Sequence, residues 1–192
     1  GDFSSAAFPA CAAAITGGKV TLLGLDPEDT QGDKALFDYL VSMGCQVEWK
    51  KQGNDWTLTV AAPARLQGQI LDLNATPDAL PAMAATACFA TGTTRLINVP
   101  NARIKETDRI AVMASELARM GARISELPDG LVIDGGRGLS GTEVQGHNDH
   151  RVVMALAIAG LACQGTTTVD TAEAAAVTYP GFLELLGADM IE

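Results

Sequence analysis

The sequence is poor in aromatic residues, in basic residues and in charge altogether. Phe, Trp and Tyr make up 5% of its 192 residues, so the core has to be assembled from Ala, Leu, Val, Ile and Met. Lys and Arg number 13 against 23 Asp and Glu, a formal net charge of −10. That balance excludes the basic footprint of a nucleic-acid binder, although a local cluster of cations can still serve a small anion. No apolar run reaches the roughly 18 residues of a membrane span; the longest, Val152 to Cys163, stops short of it. No basic-then-apolar leader opens the chain, which therefore reads as cytoplasmic with no membrane partner. Cys11, Cys45, Cys88 and Cys163 lack CxxC spacing, and each adjoins Ala, Gly or Phe. That is the pattern of buried free thiols, not of a metal or disulfide framework. Walker A, GxGxxG, GxSxG and HExxH motifs are all missing.

What the sequence does have is apolar residues at 47%, ample for a core, and repetition. Three segments share one order of signals. Each starts with an Asp beside a Ser, Thr or Asn turn signal, continues as an Ala-rich run, and reaches a small-residue turn and a strand. The turns are Thr16-Gly17-Gly18, Thr91-Gly92-Thr93 and Gln164-Gly165-Thr166, with strands predicted over Lys19–Leu25, Thr93–Val99 and Thr166–Val169. A second helix follows in each segment and closes at Gly44, Gly121 or Gly187, the left-handed stop position. The pattern fits one pseudo-threefold α/β domain with units at about residues 1–68, 69–140 and 141–192.

Local causes support the helices. Asp33 can cap a helix whose apolar residues Leu36, Phe37, Leu40 and Met43 fall at helical spacing. Thr107 can cap the next, with Ile110, Met113, Ala114, Leu117 and Met120 on one face. Thr76-Pro77 reads as a cap and first helical residue. Hairpins are predicted from Gln46–Lys50 with Thr57–Val60, and from Arg123–Ser125 with Leu131–Ile133 turning at Asp129-Gly130. The third copy is incomplete, because residues 188–192 suffice for one strand without a partner. The first copy opens at a helix start, and both ends look cut from something longer.

Charge is sparse enough that its clusters stand out. Asn101-Ala102-Arg103-Ile104-Lys105-Glu106-Thr107-Asp108-Arg109 lies at a strand-to-helix junction. His147-Asn148-Asp149-His150-Arg151 opens the third Ala-rich helix, and Asp78 lies in the first turn of the second. Helix N-termini favour anions, so Arg109 and Arg151 are misplaced for helix stability, and a bound anion in front of them is the simplest compensation. A planar guanidinium suits a carboxylate or phosphate. The plainer alternatives are a solvated helix start with local ion pairs for 105–109 and simple capping for Asp78 and Asp149. His147 and His150 around Asp149 are poorly spaced for one helix face, and no third ligand cluster accompanies them, so no metal is expected.

These residues resemble a known family. Asn101 to Arg109, with its KETDR string, resembles the most diagnostic motif of the 5-enolpyruvylshikimate-3-phosphate synthases. Asn148-Asp149-His150-Arg151 matches a second motif and Thr76-Pro77-Asp78-Ala79 a third. Gly1-Asp2-Phe3-Ser4-Ser5-Ala6 and Gln31-Gly32-Asp33 also match, in the family's order. The resemblance covers essentially the whole chain but only the C-terminal half of the usual enzyme. It implies an inside-out α/β domain of three repeated βαβαββ units, here with the last unit incomplete. It also implies a missing N-terminal domain, with the active site in the cleft between the two domains and an N-terminal strand crossing back to complete this one.

The implied reaction joins phosphoenolpyruvate to the 5-hydroxyl of shikimate 3-phosphate through a tetrahedral intermediate and releases phosphate, with no metal or organic cofactor. By resemblance, Asp78 accepts the hydroxyl proton and Glu106 moves a proton at the methylene carbon. Asn101 and Lys105 bind shikimate 3-phosphate, Arg109 and Arg151 clamp the phosphoenolpyruvate carboxylate, and Asp149 orients its neighbours. Two positions depart from the family. Val177 stands where many members carry a Lys toward the phosphate of phosphoenolpyruvate, and Ala102 replaces an aromatic seen in some. A related sugar-nucleotide enolpyruvyl transferase, which would lack KETDR, and a non-catalytic domain binding a phosphorylated ligand or a partner half are the alternatives.

Overall fold

A computed structural model describes residues 1–53 and 55–189. Its elements are α1 (Phe3–Thr16), β1 (Lys19–Leu23), α2 (Ala35–Ser42), β2 (Gln46–Gln52), β3 (Asp55–Ala61), β4 (Ile70–Asp72), α3 (Leu80–Ala87), β5 (Gly92–Ile97), α4 (Arg109–Arg119), β6 (Arg123–Leu127), β7 (Gly130–Gly135), β8 (Glu143–Val144), α5 (His150–Ala162), β9 (Thr168–Val169) and α6 (Phe182–Leu186). The stretch from β4 to β7 runs strand-helix-strand-helix-strand-strand. The stretch before it supplies α1-β1-α2-β2-β3, and the one after it β8-α5-β9-α6. Three short 3-10 segments, Gly32–Lys34, Pro77–Ala79 and Pro100–Ile104, lead toward α2, α3 and α4.

The Ala-rich helices α1, α3 and α5 pack on one another at the centre. All eight residues of α3 are buried. Small side chains let helix axes approach closely, and Phe8 of α1 meets Phe182 of α6 edge-on, with ring centroids 6.0 Å apart. The sheets lie around this helical centre and show solvent one face, as the alternation along β1 and β2 records. That is the inside-out α/β arrangement. β1, β3 and β2 form an antiparallel sheet in that order, with Val60 opposite both Val20 and Val47. The second sheet runs β4-β5-β7-β6, with β4 parallel to β5, and β8 pairs parallel to β9. No helix of the described residues is long and apolar enough to cross a membrane.

Several local expectations are corrected. Asp33 does not cap α2: it lies within the Gly32–Lys34 turn, whose already wound backbone runs straight into the helix. Asp108, not Thr107, caps α4, accepting from Ala111 N at 3.1 Å, because the Thr107 hydroxyl is directed at Asp149 instead. The β6–β7 loop is Pro128-Asp129, since Gly130 already pairs with Leu127. The strand expected to Leu25 stops at Leu23, where Gly24 turns at φ 77°. Those expected over 93–99 and 166–169 form over Gly92–Ile97 and Thr168–Val169. Gly44, Gly121 and Gly187 do take positive φ at the helix stops. Of the strand expected over 188–192, Met190 to Glu192 lie outside the described residues.

Candidate active site

The fold brings the starts of the buried helices to one place, and each start is built from its own sequence. Asp2 caps α1, taking bonds from Ser5 N at 2.9 Å and Ser4 N at 3.4 Å. Asp149 caps α5, with Oδ1 accepting from Arg151 N at 2.9 Å and Val152 N at 3.4 Å. Asp78 rides on the Pro77–Ala79 turn ahead of α3, and its carboxylate makes no capping bond there. Asp108 caps α4 and sets Arg109 as its first residue.

Arg109 is the hub. It is 1% exposed. Its Nε donates to Asp149 Oδ2 at 2.8 Å and its Nη2 to Asp149 Oδ1 at 3.1 Å, a two-pronged grip. Nη2 also donates to Glu106 Oε2 at 2.7 Å, and Nη1 donates to Asp78 Oδ1 at 2.9 Å. Thr107 Oγ1 adds a bond to Asp149 Oδ2 at 3.2 Å. In front of Arg109 stand the protein's own carboxylates, from α5, the α3 turn and the preceding loop.

Asp78 gathers two further cations. Lys105 Nζ lies 3.1 Å from its Oδ1, and Arg151 Nη2 lies 3.4 Å from its Oδ2. Arg151 also donates to Ser4 Oγ at 3.2 Å, which ties α5 to α1. Burial pushes the Asp78 carboxyl up, but Arg151, Lys105 and Arg109 more than offset it and hold it below the usual carboxylate range. Burial likewise opposes ionisation of Asp149, and its bonds from Arg109 outweigh that effect, so it too lies low. Asp33, half-buried nearby, goes the other way: burial raises it, aided by the negative charges of Asp78 and Asp2 and only partly countered by Arg151 and Lys105. His150 is 8% exposed, and burial followed by the charge of Arg151 lowers its pKa, so the imidazole is neutral at pH 7. Its Nδ1 stands 3.9 Å from Glu106 Oε1.

Of the residues singled out in the sequence, Asp78, Lys105, Glu106, Arg109, Asp149 and Arg151 thus form one network. Asn101 stands apart, exposed on the Pro100–Ile104 turn, with no side-chain bond to the described residues. Val177 ends another 3-10 segment, Ala172–Val177, and is 76% exposed. Ala102 is fully buried. His147 and His150 face different carboxylates, Glu116 and Glu106. Sequence reasoning missed Thr107, His150, Ser4 and Asp33 as members of the site's surroundings. All four lie inside matched motifs, so the signal for them was present.

Comparison with known proteins bears on the family and the fold. The family model for EPSP synthase (3-phosphoshikimate 1-carboxyvinyltransferase) matches residues 1–186. A 3-phosphoshikimate 1-carboxyvinyltransferase of Ruminiclostridium cellulolyticum is 56% identical over 184 residues, which cover 96% of this chain and 42% of that protein. Its counterpart from Acetivibrio thermocellus is 53% identical over 193 residues, covering 99% of this chain and 44% of that protein. A solved EPSP synthase from Acinetobacter baumannii superposes with a TM-score of 0.81 at 33% identity, covering 97% of this chain and 45% of that one. The chain spans less than half the length of these relatives. Over that length, the chain belongs to the EPSP synthase family.

Proposed function

We propose that this chain is the C-terminal half of an enzyme that transfers the enolpyruvyl group of phosphoenolpyruvate to the 5-hydroxyl of shikimate 3-phosphate, in the cytoplasm. The observation that carries the reading is Asp78, a carboxylate held between Lys105, Arg109 and Arg151 where the helix starts converge. Asp78 takes the proton of the 5-hydroxyl, and the oxygen bonds to C2 of phosphoenolpyruvate. Glu106 delivers a proton to the methylene carbon, giving a methyl group and a tetrahedral intermediate. Return of a methyl proton to Glu106 and cleavage of the C2–O bond to the phosphate then release phosphate and restore the double bond. No metal or organic cofactor enters these steps.

A carboxylate with a depressed pKa is a weak base, and this geometry offers a remedy. Lys105 and Arg151 are the two cations on Asp78 that keep some exposure. Anionic substrates compete for both: the phosphate of shikimate 3-phosphate for Lys105, with Asn101, and the phosphoenolpyruvate carboxylate for Arg151. Drawing them away raises the basicity of Asp78 as the substrates arrive. Arg109 has spent four of its five N–H donors on protein carboxylates. It reaches substrate only through the remaining Nη1–H, and chiefly holds Asp78, Glu106 and Asp149 in place.

The test is phosphate release from the two substrates by this chain, with and without a separately expressed N-terminal half. Release only with both halves is the expected result. A folded complex of the two that stays silent, also after Val177→Lys, would overturn the proposal and leave a ligand-binding domain without turnover.

A further inference from the structure

Among the described residues, one buried carboxylate remains outside this network. Glu116 lies in the middle of α4, and its side chain is 3% exposed. Its Oε2 accepts from the backbone N–H of Gln145 at 2.9 Å, and its Oε1 lies 3.3 Å from His147 Nε2. The nearest other cation, Arg119, is 3.7 Å away and half-exposed. Burying a carboxylate is costly unless its acceptors are used, and the two shortest contacts of Glu116 both go to a loop.

That loop, Gln145 to Asp149, is unusual. His147 and Asn148 both have left-handed backbone, at φ 54° and 55°. Two such non-glycine residues in succession are strained and persist only where their surroundings hold them. Each end of the loop is held. Gly146 N donates to Asp170 Oδ1 at 2.6 Å, and Asn148 N donates to Thr171 Oγ1 at 3.2 Å. A Cβ at Gly146 would overlap Val153 Cγ2 and come within 2.6 Å of the Asp170 carbonyl. The loop ends at Asp149, the carboxylate that grips Arg109. Arg109, Met113 and Glu116 are buried on one face of α4, at helical spacing. The helix therefore holds this loop at two points two turns apart: Arg109 at its end and Glu116 at its beginning.

We infer that Glu116 is a positioning residue for the site, the anchor that keeps Gln145–Asp149 in its left-handed path and so sets Asp149 beneath Arg109 and Arg151 at the start of α5. It touches no reacting atom. The inference rests on the site assignment above, but its structural part stands independently of turnover.

The test is backbone hydrogen exchange in the 192-residue chain with Glu116→Leu, which keeps bulk and removes both acceptors. The amides of Gln145 to Val152 should exchange at least about tenfold faster, the scale of a lost buried hydrogen bond, while the β2–β3 hairpin is unchanged. Glu116→Gln keeps an acceptor for Gln145 and places its amide against His147 Nε2, so it should stay within about threefold of wild type. With the N-terminal half supplied, Glu116→Leu should lower kcat by at least about tenfold. Unchanged exchange in the loop overturns the inference, and so does an equal rise everywhere, which would make Glu116 a general stabiliser. If Glu116→Leu does not fold, His147→Ala replaces it: Asn148 and Asp149 amides should then exchange faster while Gln145 stays protected, and no difference overturns the inference. Silence of the wild-type pair in turnover would sink the proposed reaction while the exchange result still decides this one.

Discussion

A guanidinium that is 1% exposed and faces three carboxylates is a structural group as much as a chemical one. The sequence marks Arg109 as anomalous, a cation at the positive end of a helix. It cannot show what answers the anomaly, because Asp78 and Asp149 lie 31 and 40 residues away along the chain. Removing one partner of a buried ion cluster leaves the others uncompensated. Arg109→Ala should therefore cost about 3 kcal/mol of unfolding free energy at pH 7, read by urea denaturation. The pH dependence has a definite sign. Asp78 and Asp149 are depressed in the fold, so their contribution is present above the ordinary carboxylate value of 3.8 and lost as pH falls through their lowered values. The gap between wild type and Arg109→Ala should then narrow toward acid. An equal loss at pH 7 and in acid would mean that Arg109 stabilises by packing alone.

At the scale of elements, the sequence was most legible where apolar periodicity and glycine stops coincide. α4 was placed almost to the residue, and both hairpins form between the expected segments. β4 and β8 went unread. Each is only two or three residues long, and each is defined by a parallel neighbour beyond the next helix, β5 or β9, so no local period announces it. The turn at Pro128-Asp129 was misplaced by one residue because glycine invited a turn assignment. Gly130 is required there for a different reason, since a Cβ would overlap the Leu96 carbonyl of the neighbouring strand. Gly130→Ala should push β7 off β5 and destabilise the chain by about 2 kcal/mol. Thermal or urea unfolding would measure it, and a neutral result would show that the hairpin can shift without loss.

For the molecule as a whole, charge is the deciding quantity. Lys105, Arg109 and Arg151 meet Asp78, Glu106 and Asp149, three cations against three carboxylates, within a chain of net charge −10. The chain therefore supplies geometry at this cluster, not an attractive field. Phosphoenolpyruvate should bind the isolated chain weakly and with little dependence on salt. Adding the N-terminal half should bring tighter binding that weakens steeply as salt rises. Calorimetric titration at two ionic strengths would check both statements, and tight, salt-sensitive binding by this chain alone would contradict them. None of this could be read from residue order, because net charge says nothing of where charges cancel.

The converging helix starts carry one more consequence. Repetition hands the molecule three similar openings, each furnished with an acid, and a symmetric set has no reason to react at one place over another. Asp2 and Asp149 are bound to their own helices as caps. Asp78 lies inside the Pro77–Ala79 turn instead of at its cap, and Pro81, three residues on, has no N–H to offer it, so the middle acid makes no capping bond. A division of labour follows: two copies spend their acid on a helix start, and the remaining one turns its carboxylate to Lys105, Arg109 and Arg151.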